Sequence, residues 1–421
     1  MRKASPNGPA ATMMARRAFM KMAASLGMAA ATAGYGLALD AAEYVTMPFA
    51  NGERRLARFP QKRDLILLRT RAPLLETPMK VFDEGVFTPN DQFYVRWHLP
   101  VLPTSVDVDT FRLRIDGHVA KPVELTLKQI VNDFAPVELA AVNQCSGNGR
   151  GFFEPRVPGG QWGNGAMGNA RWTGVPLNKL LAAAGLKPGA VQVSFDALDA
   201  GAMPKTPLFR KSLDVDHATD GTVLVAYGMN GEPLPMLNGF PLRLVVPGWY
   251  ATYWVKALNH IEVLDGPDSG FWMKKAYLIP DTPGVNMTPG QSDVKMKPIG
   301  PMVPRSFITN LGNGSAVPVG RGVDVRGIAF GGDTGVARVL FSSDGGKKWH
   351  EAKLGRDYGK YSLRRWQTTF TAKSPGTHLL MVKAINSQGV EQPMHPNWNP
   401  GGFMRNVVES VAVRATERAQ S

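Results

Sequence analysis

Cysteine is almost absent from this sequence: Cys145 is the one thiol among 421 residues. That excludes an internal disulfide, a zinc ribbon, a cysteine-held iron–sulfur cluster and C-x-x-C-H haem attachment. Cys145 is left as a buried inert thiol, a nucleophile or a single thiolate ligand. Long apolar runs are also missing, since none reaches the roughly 20 residues that a membrane span needs. Acidic side chains are the minority, 34 against 48 basic, for a net charge of +14. No basic helix or aromatic–basic motif accompanies the excess, which argues against nucleic acid. Anionic substrates, acidic partners or a merely basic surface remain. There is no internal repeat and no low-complexity tract.

What is abundant is glycine, 45 residues, and proline, 33, a composition of many turns and short strands. Arg16-Arg17-Ala18-Phe19-Met20-Lys21 reads as a twin-arginine signal before an Ala/Gly/Met-rich stretch, with Ala31 and Ala33 offering cleavage options. Removing residues 1–33 leaves a net charge of about +9. The expected location is periplasmic. Export in the folded state also raises the expectation of a cofactor inserted beforehand.

Residues 43–80 read as an extended entry segment. Asp109–Val119 alternates apolar and polar positions as a strand does. Thr126-Leu127-Lys128-Gln129 is a capping box opening a short helix. Val137–Val142 reads as an apolar strand that delivers Cys145, followed by a Gly-rich loop to Asn169. Pro176–Ala184 reads as a helix with Leu177, Leu180, Leu181 and Ala184 on one face and Gly185 as its stop. Strands are expected over Val191–Leu198, Thr222–Tyr227 and Leu242–Val246. A Pro-rich stretch, Pro280–Pro304, marks a boundary. The short strands beyond it, including a hairpin about Asp344-Gly345, suggest an immunoglobulin-like sandwich. The expected division is a targeting segment over 1–42, a catalytic domain over 43–295 and a C-terminal domain over 296–421.

Three stretches carry chemistry. In Gln144-Cys145-Ser146-Gly147-Asn148-Gly149-Arg150, a thiol at a strand end is followed by small residues that leave space around the sulfur. Gly147 and Gly149 permit a turn with N–H groups open to anionic oxygens, and Arg150 can stabilise a thiolate. In Tyr94-Val95-Arg96-Trp97-His98, strand geometry puts Arg96 and His98 on one face, suited to a small oxyanion or to a solvated edge. In Gly239-Phe240-Pro241-Leu242-Arg243 through Trp254-Val255-Lys256, two cations bracket an apolar strand and a Pro-Gly turn, which calls for a phosphate, another fixed anion or an acidic partner.

Together these motifs resemble, in order and spacing, the sulfite oxidase family of molybdenum enzymes, from about Tyr94 to the C-terminus. Within it the chain is most similar to bacterial periplasmic sulfite dehydrogenases without a haem domain of their own. The resemblance implies an α+β fold: a mixed molybdopterin-binding domain followed by an all-β sandwich. It implies a molybdenum–pyranopterin (molybdopterin) cofactor, no haem in this chain, and Cys145 as the protein ligand to the metal. The positions that match the family's cofactor-binding pattern are Tyr94, Val95, Arg96, Trp97, His98, Asp199, Asn238, Arg243, Trp254, Val255 and Lys256. Most relatives have His-Gly where this chain has Asn238-Gly239. For the substrate, the resemblance implies Arg96, His98, Tyr277 and Arg150, with Trp162 one layer out. Animal relatives place an arginine directly after Trp-Asn; here Trp398-Asn399 is followed by Pro400-Gly401-Gly402, and Arg405 is the nearest candidate.

The implied reaction is oxidation of sulfite to sulfate, with electrons leaving to a separate c-type cytochrome and a homodimer formed through the sandwich. The altered Trp398-Asn399 region keeps open another sulfur compound, as for a sulfane-sulfur dehydrogenase subunit or a sulfoxide reductase. A cofactor-free binding or adhesion module is the reading from another class.

Overall fold

A computed structural model describes residues 43–417. The twin-arginine motif and its cleavage options lie outside the described residues. The chain is mostly strand, with few and short helices. Three sheets build the first two-thirds, and two sheets packed face to face build the last third.

The stretch expected to be an extended entry segment is instead a meander. Strands Tyr44–Thr46, Glu53–Phe59, Lys62–Arg69, Leu74–Glu76 and Val95–Arg96 pair antiparallel in chain order. Its mixed charges hide an inner face: Leu65, Leu75, Val95 and Trp97 are buried together. A second sheet runs Lys211–Asp214, Gln192–Ala197, Leu258–Leu264, Arg112–Gly117, Val123–Thr126, with one parallel pair, Leu258–Leu264 on Arg112–Gly117. Thr126 caps helix Leu127–Asp133 in a reciprocal box with Gln129, as its sequence predicts. Helix Leu177–Ala184 buries Leu177, Leu180, Leu181 and Ala184 and stops at Gly185.

The third sheet carries the sulfur. Strand Val137–Gln144 pairs with Met167–Pro176 along its whole length, from Val137 opposite Gly174 to Gln144 opposite Met167. It starts at the surface and ends fully buried, so Cys145 emerges in the interior. Strand Leu224–Met229 is buried at every position, as a central strand must be, and pairs with both Met167–Pro176 and Arg243–Val245.

The C-terminal sandwich stacks a four-stranded sheet (Arg305–Ile308, Gly322–Phe330, Arg364–Thr371, Lys353–Leu354) on a five-stranded one (Ala316–Pro318, Glu409–Thr416, Gly376–Asn386, Val336–Ser342, His350–Glu351). Its core centres on Val325, Val339, Phe341, Trp366, Leu380, Val382 and Val413. The hairpin about Asp344-Gly345 is wider than a two-residue turn: Leu340 faces Glu351, and the Asp344 carboxylate accepts the N–H groups of Lys347 and Lys348. The sandwich is fastened to the first body at Asp83, which meets Arg326 at 2.8 Å and Thr309 at 3.0 Å.

Glu76 joins the meander to the Gly-rich loop. Its buried carboxyl accepts the N–H of Gly163 at 2.9 Å and of Gly165 at 2.8 Å. A side chain at Gly165 would strike the Thr77 carbonyl, so the loop needs glycine there. Burial pushes Glu76 up to about 7, against the pull of those two N–H groups. An unfolded glutamate titrates near ~4.3. The folded state therefore holds an extra proton between about pH 4.3 and 7, and this site loses stability as pH rises through that window. Glu76→Gln keeps the neutral shape and removes the dependence. The melting temperature of the native protein relative to Glu76→Gln is expected to fall from about pH 5 to pH 7.5; a difference independent of pH would refute this.

Candidate functional site

Cys145 is held by its backbone: its N–H donates to Ala166 at 2.9 Å and its carbonyl accepts from Asn148 at 3.0 Å. Gly149 adopts φ +84°, which a side chain would resist, but its N–H is not open to a ligand, since it donates to the Gly163 carbonyl at 2.7 Å. The glycines make room for arginines instead. A Cβ on Gly147 would sit 2.6 Å from the Arg150 guanidinium, and one on Gly149 would sit 2.9 Å from Arg405. This corrects the expectation of an open, anion-binding N–H at Gly149.

The sulfur faces a cavity lined by Tyr94, Arg96, His98, Asn238, Arg243, Lys256 and Tyr277, all expected from sequence, and by Asn143, Ser146, Leu237, Ala251 and Thr252, which were not. A second cavity, about 430 Å³, shares Leu237 with it. That lining is mostly Pro, Leu, Val and Phe with two exposed-side arginines, so the chemistry belongs to the Cys145 cavity.

One wall is a cationic network. Arg243 and Lys256 face each other across a β-bridge, which realises the bracket seen in the sequence. Arg243 donates to the Asn238 carbonyl at 3.0 Å and to Asn143 Oδ1 at 3.1 Å, and Tyr94 O–H also donates to that oxygen at 2.6 Å. The Arg243 guanidinium lies between the Trp172 and Trp254 rings, 5.2 and 5.8 Å from their centroids. Lys256 Nζ sits 4.7 Å over the Trp97 ring. Burial pulls Arg243 down to about 10. Burial, then the neighbouring Arg243, pulls Lys256 down to about 7.

The part of the lining at His98 and Tyr277 is aromatic. His98 stacks on Phe209 at 3.6 Å, and its Nε2 meets the Tyr277 hydroxyl at 2.5 Å. Burial, then Arg96, holds His98 well below its ordinary value, which favours the neutral ring. Tyr277 adopts φ +57°, a costly conformation for a bulky residue, and stacks on Phe403 at 5.1 Å.

The remaining sequence candidates lie behind this lining. Val95 is paired in its strand and Val255 accepts from Leu244. Trp254 donates to the Trp249 carbonyl and Trp97 to the Leu237 carbonyl. Asp199 is buried beyond the lining, raised by that burial to about 6 against the pull of Lys256. Trp162 packs edge-on to Tyr94. Arg150 donates to the Gly401 carbonyl at 2.9 Å and lies over Phe403, one layer from the cavity. Arg405 departs furthest from expectation. Its guanidinium is paired with Glu409 at 2.8 Å and packed on Phe152, and the same Glu409 oxygen also meets Arg305 at 2.6 Å. It does not fill the gap left after Trp398-Asn399.

Two missed residues had a usable signal: Asn143 precedes Cys145 by two positions on a strand and so shares its side, and Ser146 is its neighbour. Lys62, which reaches Asn238 from the N-terminal meander, had none.

The lining fits an anionic, hydrogen-bonding guest. Arg96 Nη1, Asn143 Nδ2, Ser146 Oγ and Arg243 Nε are buried without partners, and no carboxylate lines the cavity. Among the described residues no group of three His, Cys, Asp or Glu side chains is placed to hold a metal. A metal beside Cys145 would therefore take one thiolate from the protein and its other ligands from a cofactor.

Residues 98–272 match the family model "Oxidoreductase molybdopterin binding domain", and residues 297–416 match "Mo-co oxidoreductase dimerisation domain". The chain is 32% identical over 377 residues to the mitochondrial sulfite oxidase of Rattus norvegicus, covering 84% of this chain and 66% of that one. It is 34% identical to the sulfite oxidase of Gallus gallus, covering 78% and 73%. It spans slightly under two-thirds of the rat protein's length. Among solved structures, the sulfane dehydrogenase SoxCD from Paracoccus pantotrophus shares the fold, with a TM-score of 0.70 at 23% identity over 91% of this chain and 94% of that one. The sulfite oxidase of Arabidopsis thaliana is 30% identical over 393 residues and is spanned over 98% of its length, and on that breadth of likeness the chain belongs to the sulfite oxidase family of molybdopterin-dependent oxidoreductases.

Proposed function

We propose that this protein oxidises sulfite to sulfate in the periplasm, on a molybdenum–pyranopterin centre ligated by Cys145, and passes the electrons to a separate c-type cytochrome. The observation that carries the reading is the cavity itself: one sulfur among Arg96, Arg243 and Lys256, with unpartnered donors and no carboxylate. Sulfite and water give sulfate, two electrons and two protons. When bound, the molybdenum centre supplies oxygen-atom transfer and takes up the electron pair.

The protein's own residues have separable tasks. Arg243, Lys256, Asn143 and Asn238 would hold the anionic cofactor. Arg96, whose Nη1 has no partner, would take a substrate oxygen by a charge-assisted hydrogen bond. Tyr277, held by His98, presents its hydroxyl to the cavity, where it would hydrogen-bond the substrate or the reacting centre. Buried walls of Phe209, Tyr277 and Phe403 limit water around them. The matched dimerisation domain supports a homodimer, and the twin-arginine motif supports export in the folded state.

A second reading is a related molybdenum oxidoreductase acting on another sulfur compound, either a sulfane sulfur or a sulfoxide. What favours it is Phe403 and the Gly401 carbonyl standing where a further cation was expected, with Arg405 engaged by Glu409.

Steady-state assay separates the two. Sulfite-dependent reduction of cytochrome c is expected; molybdenum-replete protein that is silent with sulfite but turns over a sulfoxide or a sulfane sulfur would establish the second. Cys145→Ser is expected to lower turnover more than about a hundredfold with the melting temperature of the cofactor-free protein unchanged. An active serine variant would end the ligand assignment. Because His98 is already neutral, His98→Asn is expected to lower kcat/KM without altering the shape of its pH profile between about pH 6 and 8. Loss of an inflection in that range would show that His98 carries a proton in the free enzyme.

A further inference from the structure

Lys62 is a buried cation that the proposed chemistry does not use. It begins the strand Lys62–Arg69 and turns inward, 5% exposed, while its neighbour Arg63 turns outward to Asp91. None of the ion pairs among the described residues includes Lys62. Its ammonium has three protons, and three oxygens receive them: the Asn90 carbonyl, the Phe93 carbonyl at 3.1 Å and Asn238 Oδ1. It therefore has no proton left to offer the cavity directly, and whatever it does there passes through Asn238.

Asn238 lines the cavity and is itself 1% exposed. An asparagine amide can face either way; Lys62 decides which. With Oδ1 turned to the ammonium, Nδ2 points to the other side, where it donates to the Tyr94 carbonyl at 3.2 Å. Nδ2 has two protons, and this bond uses one. The backbone at Asn238 is fixed too, since its carbonyl accepts from Arg243 and Gly239 follows at φ +112° against Lys256. A protonated histidine at this position would bring a positive charge on its own ring; asparagine has none.

We infer that Lys62 is a positioning residue for the anionic, phosphate-bearing end of the cofactor: it turns the Asn238 amide so that an N–H faces the guest, and it stands behind that amide as the cation the asparagine lacks. The pair Lys62/Asn238 then does with two residues from distant parts of the chain what a histidine does alone. This rests on the cavity being a pyranopterin site. It also gives the N-terminal meander, which precedes the matched molybdopterin-binding segment at 98–272, a direct part in that site.

The experiment measures molybdenum and pterin phosphate retained by holoenzyme during dialysis at rising salt, at pH 6, where an introduced histidine can be protonated. Lys62→Met is expected to lose cofactor roughly ten- to a hundredfold faster than the native protein. Lys62→Met combined with Asn238→His is expected to recover most of that retention. A purely structural lysine predicts no recovery, because the histidine leaves the Asn90 and Phe93 carbonyls without their donor. Retention by Lys62→Met equal to native, or a double variant no better than the single one, overturns the inference. Native protein that holds no pterin phosphate would instead overturn the reading of the cavity, and that is seen before any variant is compared.

Discussion

The structure is organised around a set of buried cations with no acid in the cavity lining and one buried carboxyl, Asp199, acting on Lys256 from beyond it. Arg96, Arg243 and Lys256 line the cavity, and Lys62 lies one amide behind it. Like charges roughly 6 Å apart repel by about 3 kcal/mol at an effective dielectric near 20, and each cation also loses hydration on burial. Both effects are visible in the lysines, which burial draws down to about 7. Such a cluster is sustained by what surrounds it. Trp172 and Trp254 present their faces to Arg243, Trp97 presents its face to Lys256, and the Asn143 and Asn238 oxygens take the guanidinium's protons. The remaining compensation is an anionic guest. A protein whose interior charge is balanced more fully with an anionic cofactor in place is best assembled before it crosses a membrane, which agrees with the proposed twin-arginine route.

The same cations divide the cavity into two electrostatic regimes. Toward Lys256 and Arg243 the charge is dense and fixed by hydrogen bonds. Toward Tyr277 the groups are aromatic and the cations stand beside them: Arg96 lies 6.0 Å and Lys211 Nζ 5.7 Å from the Tyr277 ring, and burial together with Arg96 and Lys256 lowers His98. A neutral imidazole at this place matters for geometry. Its Nε2 holds the Tyr277 hydroxyl at 2.5 Å and so fixes where that oxygen sits; with Nε2 bare the phenol donates, and with Nε2 protonated the bond turns around. Tyr277 bears a left-handed backbone to reach this position, and Phe403 packed on its ring holds it there.

What the sequence made legible was what depends on local pattern. The Thr126 capping box, the face of helix Leu177–Ala184, the strand ending at Cys145 and the apolar run at Leu224–Met229 all follow from neighbours in the chain. The eight site residues that line the cavity were found through ordered motifs, each of them short. Lys62 and Glu76 were out of reach because their partners lie far along the chain, at Asn238 and at Gly163 and Gly165. A lysine within Lys62-Arg63-Asp64 looks like solvated surface until the meander turns it inward. Arg405 failed for the opposite reason: proximity in sequence to the expected register said nothing of Glu409, four residues on, which claims it. The glycines beside Cys145 were recognised as necessary, but for backbone N–H groups, when their use is to admit two arginine side chains.

The C-terminal sandwich enters the site through one turn. Between its strands Gly376–Asn386 and Glu409–Thr416 the chain reaches back to the first body. There Trp398 donates to the Pro155 carbonyl, Asn399 closes a turn on Phe403, and Met404 donates to the Ser146 carbonyl at 2.9 Å. That turn offers Arg150 a carbonyl and Tyr277 a ring face. Each contact engages a group outside the cavity lining: Arg150 donates to Gly401, Arg405 pairs with Glu409, and the Phe403 ring stacks on Tyr277. Close recognition of an oxyanion then falls to Arg96, the one guanidinium lining that end with an unpartnered nitrogen. A site with one guanidinium free at that end relies more on the protein's overall positive field to gather its anion and less on a cage of cations to retain it. Affinity for a small oxyanion should accordingly be salt-sensitive in its on-rate, and discrimination among sulfur compounds should rest on the shape of the aromatic wall.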